Sequence, residues 1–234
     1  MKTWPLLLVC TLPCFALAAD DWGRLYVSLS GTSDYRYNGV SYSDSDPALQ
    51  GSVHWWRPDR FYAGVWTSSV DFNDPGHTAY ELDAYAGRHF DAGDTRLSLE
   101  VLYTFFPDKT FRGPTYDFIQ GKVRAQRAIG KLMLGGVAAW SPEASYDSGT
   151  MWRVQADTSY QVTLSLSVSA NLGRRWIEAG VDRTFWDAGV TLSWKRLSLD
   201  VRYADTNLSP AECNNSDRCD ATVIGTLTLR FYDL

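Results

Sequence analysis

The sequence predicts an all-β chain: a closed antiparallel transmembrane β-barrel of about twelve strands, with short periplasmic turns and long extracellular loops. Three observations predict it. Apolar and polar residues alternate with period two along almost the whole chain. The connections between the alternating runs are short and long in strict turn. The aromatic residues, 14% of the chain, gather where the runs end.

Composition narrows the field first. With 22 Lys+Arg against 27 Asp+Glu, the net charge of −5 argues against a nucleic-acid binder. A mean hydropathy of −0.25 excludes a polytopic helical membrane protein. The chain is too apolar for disorder.

The first segment reads as a cleaved signal peptide over 1–18. Met1-Lys2-Thr3 starts it, an apolar run continues to Leu17, and Ala16-Leu17-Ala18 is a small-x-small cleavage site. Residues 19–234 then form one outer-membrane barrel domain. Its two cysteines, Cys213 and Cys219, flank a polar turn-rich stretch, and export favours a local disulfide between them.

Twelve runs follow, at roughly 24–37, 48–56, 61–70, 80–90, 95–106, 116–127, 131–141, 150–160, 163–176, 184–194, 197–207 and 221–231. In the fifth, Leu97, Leu99, Val101, Tyr103 and Phe105 alternate with Arg96, Ser98, Glu100 and Thr104. In the ninth, Leu164, Leu166, Val168, Ala170 and Leu172 alternate with serines, Asn171 and Gly173. The last ends its alternation on Phe231, the kind of residue that the barrel-assembly machinery reads. Tight connections fall at Arg57–Arg60, Asp91–Asp94, Ala128–Gly130, Gln161–Val162 and Lys195–Arg196. Long ones fall at 38–47, 71–79, 107–115, 142–149, 177–183 and 208–220.

Width decides which face is wet. About eight strands leave an interior that side chains fill, and twelve leave more. An apolar interior of that width would be a dry void, so the apolar face is expected toward lipid. The polar face then lines a lumen through Glu81, Asp83, Glu100, Lys122, Arg124, Arg153, Asp157, Arg175, Asp200 and Arg202. A membrane girdle is expected at the outer ends from Tyr103, Phe105, Trp140, Trp152, Trp186 and Tyr203. At the periplasmic ends it comes from Trp55, Phe61, Tyr160, Trp194 and Phe231.

Ser33-Asp34-Tyr35-Arg36, Gly39-Val40-Ser41, Ser43-Asp44 and Pro47-Ala48-Leu49-Gln50-Gly51 resemble the signature of the TorF porin family. Phe61–Trp66 and Tyr80–Gly87 are similar to it as well, and Asn171-Leu172-Gly173 more weakly. The resemblance implies a Gram-negative outer-membrane barrel and carries over no catalytic motif.

Chemistry is sparse. His54 and His89 read as lumen lining rather than as parts of a hydrolase, which would set its serine and histidine at the lipid-facing outer rim. Ser43-Asp44-Ser45-Asp46 lacks the spacing of a calcium loop and reads as a solvated turn before Pro47. No metal and no cofactor are expected.

The expected function is passive diffusion of small polar solutes or ions through a narrow mixed-charge lumen, with weak ion selectivity because the signs balance. The alternative is a non-conducting structural or adhesive barrel acting through its surface loops. Expected partners are outer-membrane lipid and lipopolysaccharide, the assembly machinery during biogenesis, and small polar solutes.

Overall fold

In the computed structural model, which describes residues 22–107 and 115–232, the alternating runs are strands. In order they are β1 (Arg24–Thr32), β2 (Arg36–Tyr37), β3 (Val40–Ser41), β4 (Ala48–Trp56), β5 (Phe61–Ser69), β6 (Tyr80–Ala92) and β7 (Thr95–Phe105). Then come β8 (Phe118–Ile129), β9 (Leu132–Ser141), β10 (Met151–Gln161), β11 (Leu166–Ile177), β12 (Arg183–Trp194), β13 (Leu197–Thr206) and β14 (Thr222–Tyr232). All except β2 and β3 join one closed antiparallel barrel of twelve strands. Each pairs with its sequence neighbours, and β1 closes the cylinder on β14 through register pairs such as Val27↔Phe231. The signal-peptide segment lies outside the described residues.

The period-two pattern becomes two faces. Mid-strand Val101, Leu172 and Leu227 are 56%, 56% and 54% exposed on the outside. A continuous belt of exposed Leu and Val would make a water-soluble protein aggregate, and in lipid it is the solvated face. Charges on the outer face are confined to strand ends. Arg88 lies over the Phe61 and Phe90 rings near the short turns, and Arg174 lies over Trp176 near the long loops.

Three expectations need correction. The first strand does not run to 37: it leaves the wall after Thr32, and 33–47 folds inward as a hairpin. The Ser43–Asp46 turn is only partly solvated: Ser43 is buried, Asp44 and Ser45 are half-buried and Asp46 is exposed. The ninth run starts at Leu166 instead of 163. Thr163 Oγ1 accepts from the backbone N–H groups of Ser165 and Leu166, which makes a side-chain-capped turn in place of strand.

The wall is thinned by glycine where a bulky partner needs room. Tyr62 and Gly87 are direct register partners, and so are Tyr85 and Gly64. A Cβ on Gly87 would sit 2.4 Å from the Tyr62 ring and 2.5 Å from the Leu99 carbonyl oxygen. Gly121 faces lipid with nothing near it. Gly87→Val is therefore expected to destabilise the folded barrel by about 1–3 kcal/mol, the usual overpacking range. Gly121→Val should leave stability unchanged or raise it. Urea titration followed by the electrophoretic mobility of the folded form measures both.

Candidate functional site

The site is the barrel interior and the hairpin that enters it from the long-loop end. The hairpin forms because Tyr37-Asn38-Gly39-Val40 carries its own turn. Asn38 and Gly39 both have positive φ, 51° and 82°, as a two-residue type I′ turn requires. This Asn-Gly pair between β-formers is the signal that could have identified the hairpin from sequence.

One buried carboxylate organises it. Asp34 accepts from Arg36 Nε at 2.6 Å, from Ser41 Oγ at 2.6 Å and from Ser43 Oγ at 3.3 Å. Both side chains of the Asp34–Arg36 pair are only 5% exposed. A buried pair is tolerable only when its remaining lone pairs and protons are bonded, and here they are. Arg36 Nη1 also donates to the Gly39 carbonyl and to the Asp220 carbonyl of the loop over 207–221.

The hairpin crosses the lumen and is anchored on several strands. Tyr35 Oη donates to Glu81 on β6 at 3.1 Å. Gln120 on β8 donates to Tyr37 Oη at 2.9 Å. Arg153 on β10 donates to Asn38 Oδ1 at 3.0 Å, and Arg183 on β12 donates to the Tyr37 carbonyl at 3.0 Å. At the tip, a Cβ on Gly39 would lie 2.4 Å from Thr206 and 2.9 Å from Phe185. Burial and the neighbouring Glu81 carboxylate hold the Tyr35 hydroxyl well above the ordinary phenol range, so it remains a donor.

A roof covers the hairpin. The disulfide Cys213–Cys219 stiffens the last long loop. From that loop Arg218 pairs with Asp44 at 2.6 Å and donates to the Phe72 carbonyl at 3.0 Å. Phe72 packs edge-on against Tyr42 at 5.1 Å and lies 4.9 Å from the Tyr116 ring. Burial would raise the Asp74 carboxyl in this roof, but hydrogen bonds from Thr78 hold it below the usual carboxylate range.

The ten lining candidates all fall on the inward, less exposed face. The fold brings most of them into pairs. Lys122 meets Glu100 at 3.2 Å and Arg124 meets Asp157 at 2.8 Å. Arg202 pairs with both Asp200 and Asp187. Among the described residues Glu81 and Asp83 have no ion pair: Tyr35 covers the first and Thr104 donates to the second. Arg153 and Arg175 are direct register partners, and the next strand continues the row with Arg183, which begins β12 and does not end the loop over 177–183.

His54 and His89 do face inward. His54 Nδ1 lies 3.1 Å from Tyr85 Oη and His89 Nδ1 lies 2.8 Å from Ser98 Oγ. The girdle candidates sit on the outer face at strand ends: Trp140 and Trp152 at the long-loop end are 41% and 53% exposed, and Trp194 at the other end is 65% exposed. Trp55, Phe105, Trp186 and Phe231 are half-buried at the same levels. Trp66, by contrast, points inward against Tyr35, with ring centroids 5.2 Å apart.

Three of the cavities among the described residues follow one another along the lumen. An outer one of about 430 Å³ lies among the long loops and is bounded by Val40. A middle one of about 400 Å³ lies beneath the hairpin and is bounded by Gly39. An inner one of about 290 Å³ lies in the short-turn half beside His54 and His89. The hairpin tip separates the first two, and Arg153 borders both the second and the third.

Residues 24–231 match the model of a bacterial family described as of unknown function, Gcw_chp. No curated protein matches the sequence. The fold is similar to the NanC porin, with TM-score 0.59 and 10% identity over 89% of this chain and 100% of that one. It is similar to the KdgM porin, with TM-score 0.57 and 5% identity over 88% and 98%. An outer membrane channel from Pseudomonas putida F1 gives TM-score 0.53 and 12% identity over 93% and 99%. At such identities the likeness is one of fold, and that fold is the outer-membrane barrel.

Removing Asp34 would leave Arg36 as a buried charge without its partner, a loss of about 3–5 kcal/mol. In Asp34→Ala the hairpin should therefore leave the lumen, and trypsin should cut after Arg36 in reconstituted protein while the wild type stays protected. Mass spectrometry of the fragments locates the cut. Unchanged protection would mean that the wall anchors suffice without the ion pair.

Proposed function

The chain belongs to the Gcw_chp family of bacterial proteins, whose function is unknown, and from the barrel itself we propose a narrow outer-membrane channel for passive diffusion of small polar solutes. The observation that carries this reading is the stack of cavities of about 430, 400 and 290 Å³, bordered by polar side chains and interrupted by one hairpin. A structural plug would be expected to fill the interior with apolar packing. Here the ion pairs and hydroxyls stand on an inner surface that water can solvate.

Supporting this are the porin and channel names of the fold neighbours and the TorF resemblance, which falls on the hairpin residues themselves. In this reading the inward hairpin is the constriction, its width set by Tyr35, Tyr37 and Asn38. The girdle aromatics hold the barrel at the two lipid boundaries, and residues 1–18 direct export. The protein acts without catalysis, and no metal or cofactor takes part.

Planar-bilayer recording on purified protein tests the reading. The wild type should give small discrete conductance steps. Replacing 35–42 with a short Gly-Ser turn should enlarge the steps severalfold. Total absence of steps in both forms would sink the channel reading and favour the alternative, a non-conducting barrel that works through its surface loops.

A further inference from the structure

We infer that the channel selects small oxyanions, carboxylates foremost, through an arginine row that climbs the lumen wall; this rests on the channel reading above. Arg153, Arg175 and Arg183 stand directly opposite one another on β10, β11 and β12. All three point inward. Like charges directly opposite on neighbouring strands destabilise a sheet. A carboxylate between them would relieve this, yet among the described residues none of the three has an ion pair.

Each guanidinium spends one donor on a neutral oxygen: Asn38 Oδ1, the Val181 carbonyl and the Tyr37 carbonyl. Among the described residues the Nε group of each has no hydrogen-bond partner. The row also marks the route. Arg175 and Arg183 border the outer cavity, and Arg153 borders both the middle and the inner one.

The acidic side chains along that route are spent. Asp34, Asp44 and Glu100 each pair with a cation, Asp187 shares Arg202 with Asp200, and Glu212 is held by Ser209 through both its N–H and its hydroxyl. Among the described residues Glu212 borders the outer cavity without a cation, beside Arg175, Arg183 and Arg218, while Glu81 and Asp83, also without an ion pair, border none of the three cavities. The balanced formal charge of the lumen thus resolves into a positive path. A guanidinium fork binds a carboxylate through two parallel hydrogen bonds, which makes carboxylates the fitting solutes.

Arg175 separates this role from support of the hairpin, because its hydrogen bond goes to Val181 and not to the hairpin. The test measures reversal potentials across a planar bilayer in gradients of potassium chloride and then of potassium acetate. It compares wild type, Arg175→Gln and Arg175→Lys, with trypsin protection of Arg36 confirming that the hairpin is in place. The wild type should pass both anions in preference to potassium. Arg175→Gln should lower the anion-to-cation ratio about sevenfold, because one unit charge some 7 Å away in water shifts the anion and the cation each by about e-fold in opposite senses. Arg175→Lys should keep most of it. A wild-type ratio at or below one, or no change in Arg175→Gln, overturns the inference while the channel reading stands. Absence of conductance in all three proteins overturns both.

Discussion

Lipid offers no hydrogen bonds, so each strand in the membrane must be paired along both edges. In this chain the demand falls hardest on β1, which has no sequence neighbour before it and closes the sheet by pairing β4 on one side and β14 on the other. Closure makes an inside and an outside of the two faces of every strand. The outside must be apolar because it meets lipid. The inside is too wide for twelve strands' side chains to fill, so it can hold charge.

That interior permits what a packed core would not. A hairpin with a buried ion pair at its base extends across it and is met by donors from β8, β10 and β12. Its local chemistry is self-contained: an Asn-Gly turn at the tip, and at the base one carboxylate shared by Arg36, Ser41 and Ser43. The wall therefore locates a hairpin that is already shaped, and the roof from the disulfide loop holds it from above through Arg218 and Asp44.

The aromatic excess has three destinations. Some rings form the two girdles at strand ends. Others, such as Tyr62 and Tyr85, fill space over wall glycines inside the lumen. A third group, with Tyr42, Phe72 and Tyr116 among it, binds the long loops to one another. Only the first group follows from period and position along a strand. The second needs the register across two strands, and the third needs loops that meet only after the barrel has closed.

The sequence by itself determined the strand count, the apolar outside, the alternation of short turns with long loops and the pairing of Cys213 with Cys219. All of these follow from local periodicity, from spacing, or from the redox conditions of export. The ten lumen candidates share one face, because the side-chain period of a strand leaves only two choices. Only the tertiary structure decided what those charges do. Lys122 with Glu100, and Arg124 with Asp157, become neutral pairs because register sets them within reach. Arg153, Arg175 and Arg183 become a row because the same register aligns like with like. The inward course of 33–47 was likewise hidden. A strand-like run ending in Asn-Gly fits an outward loop as well as an inward one, and the choice rests on partners that lie from about 46 to 170 residues further along the chain.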